Sequence, residues 1–139
     1  MLKRLYSKRK AGGKTMIEIK TSTLSDGEFN RGVFATRDIA KGELIHEAPV
    51  IAYPNKEHEF IEKTLLADYA FEYGKNHTAI LLGYGMLFNH SYQPNATYDI
   101  NFDNHTFDFY AYTDIKAGDE ILINYNGDVD DTDPLWFNK

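Results

Sequence analysis

The sequence predicts one mainly β domain with a short helical insert, and three observations point there. Short runs of alternating or β-branched character recur, as in Met-Ile-Glu-Ile-Lys over residues 16–20 and Thr-Tyr-Asp-Ile-Asn-Phe over residues 97–102. Glycine and Asp/Asn turn signals separate these runs, as at Asp26-Gly27, Lys41-Gly42 and Asp103-Asn104. Two strand–turn–strand segments also resemble one another. At an offset of 76 residues, Ala35, Asp38, Ile39, Gly42 and Ile45 fall on Ala111, Asp114, Ile115, Gly118 and Ile121. Glycine at both turns has a backbone reason, because it alone adopts positive φ freely.

Taken in order, Met16 to Lys20 reads as a strand, followed by a turn-rich stretch through Gly27. Residues 31–54 read as strand, turn at Lys41-Gly42, strand. From Asn55 to Gly74, Ile61, Leu65 and Tyr69 recur at helical spacing, with Leu66 and Tyr73 nearby, and this predicts the inserted helix. A shorter helical or irregular piece is expected over residues 78–83. Tyr98, Ile100 and Phe102 then alternate with polar residues, Asp103-Asn104 turns the chain, and Phe107 and Phe109 alternate again, which makes a hairpin. Residues 111–125 repeat the first strand–turn–strand unit.

At 139 residues the chain suits one domain, able to bury about two-thirds of its unfolded surface without staples. Charge divides it into a basic arm over residues 1–15, expected to be disordered, and a single acidic domain over residues 16–139. The arm holds Lys3, Arg4, Lys8, Arg9, Lys10 and Lys14 with no acid, so the total of −6 leaves −12 for the rest. Such a body is a poor surface for nucleic acid and draws in basic peptides instead. The absence of cysteine removes disulfides, thiolate zinc sites and cysteine nucleophiles together. No apolar run reaches the roughly 18 residues that a membrane helix requires, and an intracellular protein, cytoplasmic or nuclear, is expected.

The five histidines, at 46, 58, 77, 90 and 105, show no pair with ligand spacing on one helix face, and no metal site is expected. Neither a Gly-x-Gly-x-x-Gly turn nor a Gly-x-Ser-x-Gly elbow occurs, which argues against a Rossmann nucleotide site and an α/β-hydrolase. Three pieces remain: Asn-Arg-Gly-Val-Phe-Ala-Thr-Arg-Asp-Ile-Ala-Lys-Gly-Glu-Leu-Ile over residues 30–45, Leu-Phe-Asn-His-Ser-Tyr-Gln-Pro-Asn over residues 87–95, and Gly-Asp-Glu-Ile-Leu-Ile-Asn-Tyr-Asn-Gly-Asp over residues 118–128.

Together and in this order, with Asn-His-Ser-x-x-Pro-Asn intact from Asn89 to Asn95, they resemble the SET-domain protein lysine methyltransferases, in particular the small stand-alone kind of bacteria and large DNA viruses. The resemblance runs from about Met16 to the C-terminus. It implies a β-clip fold of small curved sheets with a C-terminal pseudoknot that sets the second and third pieces side by side. It also implies S-adenosylmethionine as cofactor, held by Asn89, by the backbone at His90, and by backbone groups of Arg31, Gly32 and Val33, with Pro94 and Asn95 fixing the turn. Tyr125 matches the closing tyrosine, whose hydroxyl orients the attacking amine. Tyr69, Ile123, Trp136 and Phe137 are expected to line or close the lysine channel, and Ile123 stands where the family limits the number of methyl groups added. The implied substrate is a lysine in a basic protein or peptide, a histone tail among the candidates, and the chain is expected to act as a monomer or homodimer. A SET-fold module without catalysis that binds a basic peptide is the alternative.

Overall fold

The computed structural model describes residues 15–24 and 27–135; the basic arm up to residue 14 and the expected channel residues Trp136 and Phe137 lie outside the described residues. Among the described residues nine strands form three sheets: β1 (Ile17–Thr21) with β2 (Arg31–Ala35); a five-stranded sheet; and β6 (Asn89–His90) with β9 (Leu122–Ile123). The five-stranded sheet has the order β4 (Phe71–Tyr73), β5 (His77–Leu81), β3 (Leu44–Pro54), β8 (Thr106–Ala111), β7 (Ala96–Asn101), with antiparallel neighbours throughout. The mainly β expectation holds.

The large sheet is strongly curled. β4 and β7 are its two outer strands, yet Phe71 of β4 meets Tyr98 of β7 edge to face, with ring centroids 5.7 Å apart. Phe107 of β8 lies 5.3 Å from both rings and fills the concave side. Phe88, Phe107 and Phe109 are fully buried, and Phe88 stacks on Phe109 at 4.4 Å. Aromatic rings contribute large apolar area at preferred tilted or offset geometry, so this cluster fixes the curvature. The open edge between β4 and β7 becomes a cleft.

The two similar turns find each other in space. Ile39 and Ile115 exchange both backbone hydrogen bonds at 2.8 Å. Asp38 Oδ1 accepts from the Ala117 N–H at 2.9 Å, and Asp114 Oδ1 accepts from the Lys41 N–H at 2.8 Å. Gly42 N–H donates to Ala111 O and Gly118 N–H to Ala35 O, each at 2.8 Å. Every one of these bonds has its counterpart 76 residues away, so the repeat is a local pseudo-twofold clasp. Gly42 and Gly118 have φ of 85° and 89°, the left-handed region that glycine enters at no steric cost.

The expected single helix over Asn55–Gly74 is instead a 3₁₀ turn (Asn55–Glu57), one α turn designated α1 (His58–Ile61), a second 3₁₀ segment (Leu65–Tyr69) and then β4. Thr64 is the cause: extended in backbone, it donates its hydroxyl to Ile61 O at 2.7 Å and accepts from the Leu66 N–H at 3.2 Å. Ending one turn and capping the next, it competes with helix continuation. The apolar spacing of this insert does not mark a buried face, since Phe60 and Leu65 are 65% and 70% exposed. The helical or irregular piece expected over residues 78–83 is also corrected. It is mostly β5, whose Ala79 and Leu81 alternate inward between β3 and β4.

Candidate functional site

The Asn-His-Ser-x-x-Pro-Asn piece and the Glu-Ile-Leu-Ile-Asn-Tyr piece are joined by a parallel ladder, Asn89 opposite Leu122 and His90 opposite Ile123. Two strands of two residues cannot hold by backbone alone, and the polar side chains of the motif complete the joint. Asn95 brackets the third piece: its Nδ2 donates to Glu120 O at 2.9 Å and its Oδ1 accepts from the Leu122 N–H at 2.8 Å. His90 Nδ1 accepts from the Tyr125 N–H at 3.0 Å, one rung beyond the end of the ladder. Pro94 is buried beneath this turn.

Asn89 turns the other way, toward the first piece. Its Nδ2 donates to Arg31 O at 2.9 Å and to Glu120 Oε1 at 2.8 Å. The second oxygen of Glu120 accepts from Ser22 Oγ at 3.0 Å. A Cβ built on Gly32 would stand 2.0 Å from Glu120 Oε1 and 3.0 Å from Asn89 Nδ2. Glycine is required here because the protein's own carboxylate and amide occupy the side-chain position. Both N–H groups of Asn89 are thereby engaged inward, and the group it can present is its carbonyl oxygen, an acceptor.

Arg31 and Gly32 thus lie beside Asn89. Val33 is fully buried, and its carbonyl accepts from the Ile121 N–H at 2.7 Å. Tyr125 lies at the end of the third piece, half-buried. Its hydroxyl donates to Phe88 O at 2.8 Å, and burial, with smaller contributions from Tyr69 and Glu120, pushes its pKa up to about 12. The phenol is therefore protonated at any ordinary pH. With its proton directed to a carbonyl, its oxygen can serve a further partner only as an acceptor.

Tyr125 also lines a cavity of about 610 Å³ that opens between the outer strands β4 and β7. Its walls are Phe71, Phe88, Met86, Tyr98 and Ile100, with Tyr69 at the side, and four exposed carboxylates, Asp68, Glu72, Asp99 and Asp128, belong to the lining. Among the described residues no lysine, arginine or histidine lines it. Tyr98 registers that field: burial first, then Glu72 and Asp128, hold its phenol above the ordinary tyrosine range. A cation entering here meets negative charge outside and apolar rings within. Among the described residues no group of three or more His, Asp or Glu is placed to hold a metal, and no helix is long and apolar enough to cross a membrane.

Of the expected channel residues, Tyr69 lines this cavity, together with the expected catalytic residue Tyr125. Ile123 is fully buried in the core and is not among the residues lining it. Sequence reading missed Glu120 as the hub joining Ser22, Asn89 and, through its backbone, Asn95; its place at the head of the Glu-Ile-Leu-Ile-Asn-Tyr piece was the available signal. It also missed Tyr98 and the four acids, which come from separate segments and show in sequence only as the acidity of the body.

A family model described as SET domain matches residues 30–126. The Schizosaccharomyces pombe histone-lysine N-methyltransferase specific for H3 lysine-37 is 31% identical over 108 residues, covering 77% of this chain and 69% of that protein. A crystal structure of a Plasmodium falciparum candidate histone methyltransferase matches with a TM-score of 0.66 at 37% identity, over 81% of this chain and 94% of that one. A humanized mutant of the Chaetomium thermophilum Polycomb Repressive Complex 2, bound to an inhibitor, matches with a TM-score of 0.67 at 22% identity, over 81% of this chain and 15% of that one. A ctPRC2 structure bound to S-adenosylmethionine gives the same values. At that identity the likeness is one of fold.

Proposed function

The chain belongs to the SET-domain family, and from that premise we propose that it transfers methyl groups from S-adenosylmethionine to a lysine side chain of a basic protein, with Tyr125 orienting the amine. One observation carries this reading. A phenol with a pKa of about 12, its proton directed to Phe88 O, stands at an acid-lined, aromatic-walled cavity.

The donor set at Asn89 fits the amino-acid end of the cofactor. With both its N–H groups used within the protein, the side chain offers the carbonyl oxygen that an ammonium group needs. Arg31, Gly32 and the backbone at His90 are the neighbouring groups that would complete that contact. When bound, S-adenosylmethionine supplies an electrophilic methyl group on a sulfonium sulfur. Everything else falls to the chain itself.

A lysine amine enters as a cation, with an ordinary pKa of about 10.4, and must lose a proton before it can attack. Asp68, Glu72, Asp99 and Asp128 attract the cation to the cavity. Deeper in, Phe71, Met86, Phe88 and Ile100 take the amine out of water, which favours its neutral form. The Tyr125 oxygen then accepts an amine N–H and fixes the direction of the lone pair, a gain by orientation. Tyr69 flanks that approach. Ile123, buried away from the cavity wall, is a poor candidate for limiting the number of methyl groups, and Tyr98 stands on the wall instead.

A histone is the substrate favoured by this reading. The S. pombe relative is a histone-lysine N-methyltransferase and the P. falciparum structure is described as a candidate one, and a histone tail has the charge that the cavity attracts. The bacterial or viral type suggested by the resemblance finds no counterpart among these eukaryotic relatives. The test is transfer of radiolabel from S-adenosylmethionine to core histones and to a whole-cell protein extract, with Tyr125→Phe beside the parent. The expected outcome is label on a protein band with the parent and a turnover lower by about 100-fold or more in the variant, with cofactor affinity near the parent's. Equal transfer by both would remove Tyr125 from its assigned role. A parent that binds cofactor and peptide but transfers nothing would favour the non-catalytic binding module.

A further inference from the structure

Among the described residues, the lining of the cavity at Tyr125 holds four carboxylates and no cationic side chain. In the sequence, residues 1–14 hold six cations and no acid. Charge draws the two together, and their apolar character matches as well. Leu65 and Leu66, 70% and 45% exposed, lead directly into Asp68 and Tyr69 of the cavity wall. The basic segment sets Leu2, Leu5 and Tyr6 around Lys3 and Arg4. A purely basic segment would satisfy the acids and leave the leucines uncovered; this one offers partners to both.

We propose that residues 1–14 are a ligand of the chain's own cavity: Lys3 enters it, accepts methyl groups there, and holds the opening against other basic peptides. The inference rests on the methyltransferase reading and names a substrate and a regulator for that same site. In the transfer, the lone pair of the neutral Lys3 amine forms a bond to the methyl carbon as the carbon–sulfur bond of S-adenosylmethionine breaks. The electron pair of the broken bond stays on sulfur, leaving S-adenosylhomocysteine, and the surplus proton on the amine passes to water.

Reach selects Lys3 among the four lysines of the segment. Met16 is anchored, since its carbonyl accepts from the Thr36 N–H at 2.9 Å, and the neighbouring Ala35 O accepts from the Gly118 N–H at 2.8 Å. From Gly118 the chain runs seven residues to Tyr125, about 25 Å at full extension, so Tyr125 lies within about 40 Å of Met16. Lys3 stands 13 residues before Met16 and reaches about 45 Å, which covers that whole limit. Lys8 reaches about 28 Å and Lys10 about 20 Å. Lys14 is two residues from Met16, and no residue of β1 or β2 lines the cavity. A tether of this length gives an effective concentration on the order of 1 mM.

Two measurements test this on the full chain. The first supplies radiolabelled S-adenosylmethionine, without and then with core histones, to the parent, to Lys3→Arg, and to a chain with a neutral segment (Lys3→Gln, Arg4→Gln, Lys8→Gln, Arg9→Gln, Lys10→Gln and Lys14→Gln together). Label is mapped by proteolysis and mass spectrometry. Without histones, the parent is expected to carry label on Lys3, at a rate per molecule that does not change on serial dilution, and Lys3→Arg to carry none. With histones, the neutral-segment chain is expected to show KM lower by about tenfold, as for a tether at about 1 mM displaced from a site it holds at about 0.1 mM. Lys3→Arg keeps the charge and should stay near the parent. Label confined to Lys8, Lys10 or Lys14, or histones labelled while the chain is not, would overturn the proposal. So would a rate per molecule that rises with concentration, because the occupant would then be a second copy. The second measurement compares the parent and the neutral-segment chain by ¹H–¹⁵N NMR and needs no turnover. Their amide resonances are expected to differ at Glu72, Asp99 and Asp128, and the differences to fade as salt is raised; identical resonances there would sink the inference. Such differences in a parent that labels neither itself nor histones would keep the docking and count against the methyltransferase reading.

Discussion

Gly32 lacks a side chain where Glu120 needs the room, and the consequence reaches across the site. In Gly32→Ala the new methyl group would displace a carboxylate oxygen 2.0 Å away. The carboxylate is the flexible end of its side chain, so the cost is not a backbone clash but the loss of its bonds from Ser22 and Asn89. Hydrogen bonds to a charged group contribute about 1.5–3 kcal/mol. The expected outcome is a comparable loss of stability in denaturant titration, with weaker cofactor binding by calorimetry because Asn89 loses its anchor. The double variant Gly32→Ala/Glu120→Ala should cost less than the sum of the two single changes, since both remove the same contacts. Tyr125 gives a second expectation. Its folded pKa of about 12 exceeds the ordinary tyrosine value of 10.0, so between those values the folded state binds the extra proton. Stability from this group is complete below pH 10 and declines as pH rises toward 12. Alkaline unfolding should therefore begin at higher pH in Tyr125→Phe, once its lower starting stability is taken into account. Of these residues, Asn89 and Tyr125 were legible because each occupies a fixed place in a dense motif. Glu120 was not, because its meaning depends on a serine 98 residues away.

At the scale of elements, the paired turns were readable from an offset in the sequence, and their mutual embrace was not. Similarity 76 residues apart predicts two like pieces, but only the structure shows Ile39 and Ile115 exchanging hydrogen bonds and each aspartate capping the other turn. The symmetry has a measurable consequence. Gly42→Ala and Gly118→Ala each force a Cβ into left-handed backbone with nothing else nearby, so each should cost about 1–2 kcal/mol and the two costs should match closely. Thermal unfolding of the two single variants checks this, and a large inequality would argue that the turns are not equivalent. The insert shows the opposite case. Ile61, Leu65 and Tyr69 have helical spacing, yet one threonine side chain redirects the backbone and Leu65 is left exposed. Periodicity reports which faces could be buried. It does not report whether a neighbour arrives to bury them. β5 was misread for the complementary reason, since five residues with two inward positions give too short a period to count.

Over the whole molecule, the acidity of residues 16–139 concentrates its effect at one opening. Asp68, Glu72, Asp99 and Asp128 come from the insert, β4, β7 and the segment after Tyr125, and curling of the sheet brings them around one cavity. Attraction of a basic peptide by exposed carboxylates is screened over about 10 Å at 0.1 M salt. KM for a histone peptide should therefore rise with ionic strength while kcat changes little. Glu72→Gln and Asp128→Asn should each raise KM up to about fivefold at low salt, the range expected for one exposed ion pair, and the difference should fade at high salt. Steady-state kinetics at two salt concentrations decides it. Unchanged KM in the double variant would mean that these acids are only a solvated face.

The sequence by itself determined the β-rich class, the two like turns, the acidic balance, and a local motif dense enough to mark Asn89, His90, Asn95 and Tyr125. These are properties of residues near one another in the chain, where composition, spacing and turn chemistry act directly. Only the tertiary structure decided that β4 and β7 face each other across a cleft, that Glu120 lies against Gly32, and that Ile123 belongs to the core while Tyr98 belongs to the wall. Those outcomes depend on how far the sheet curls, and that curvature is set by the joint packing of Phe71, Phe88, Tyr98, Phe107 and Phe109, rings supplied by separate strands and loops. No local pattern encodes it, because each ring finds its geometry only when the others are already present.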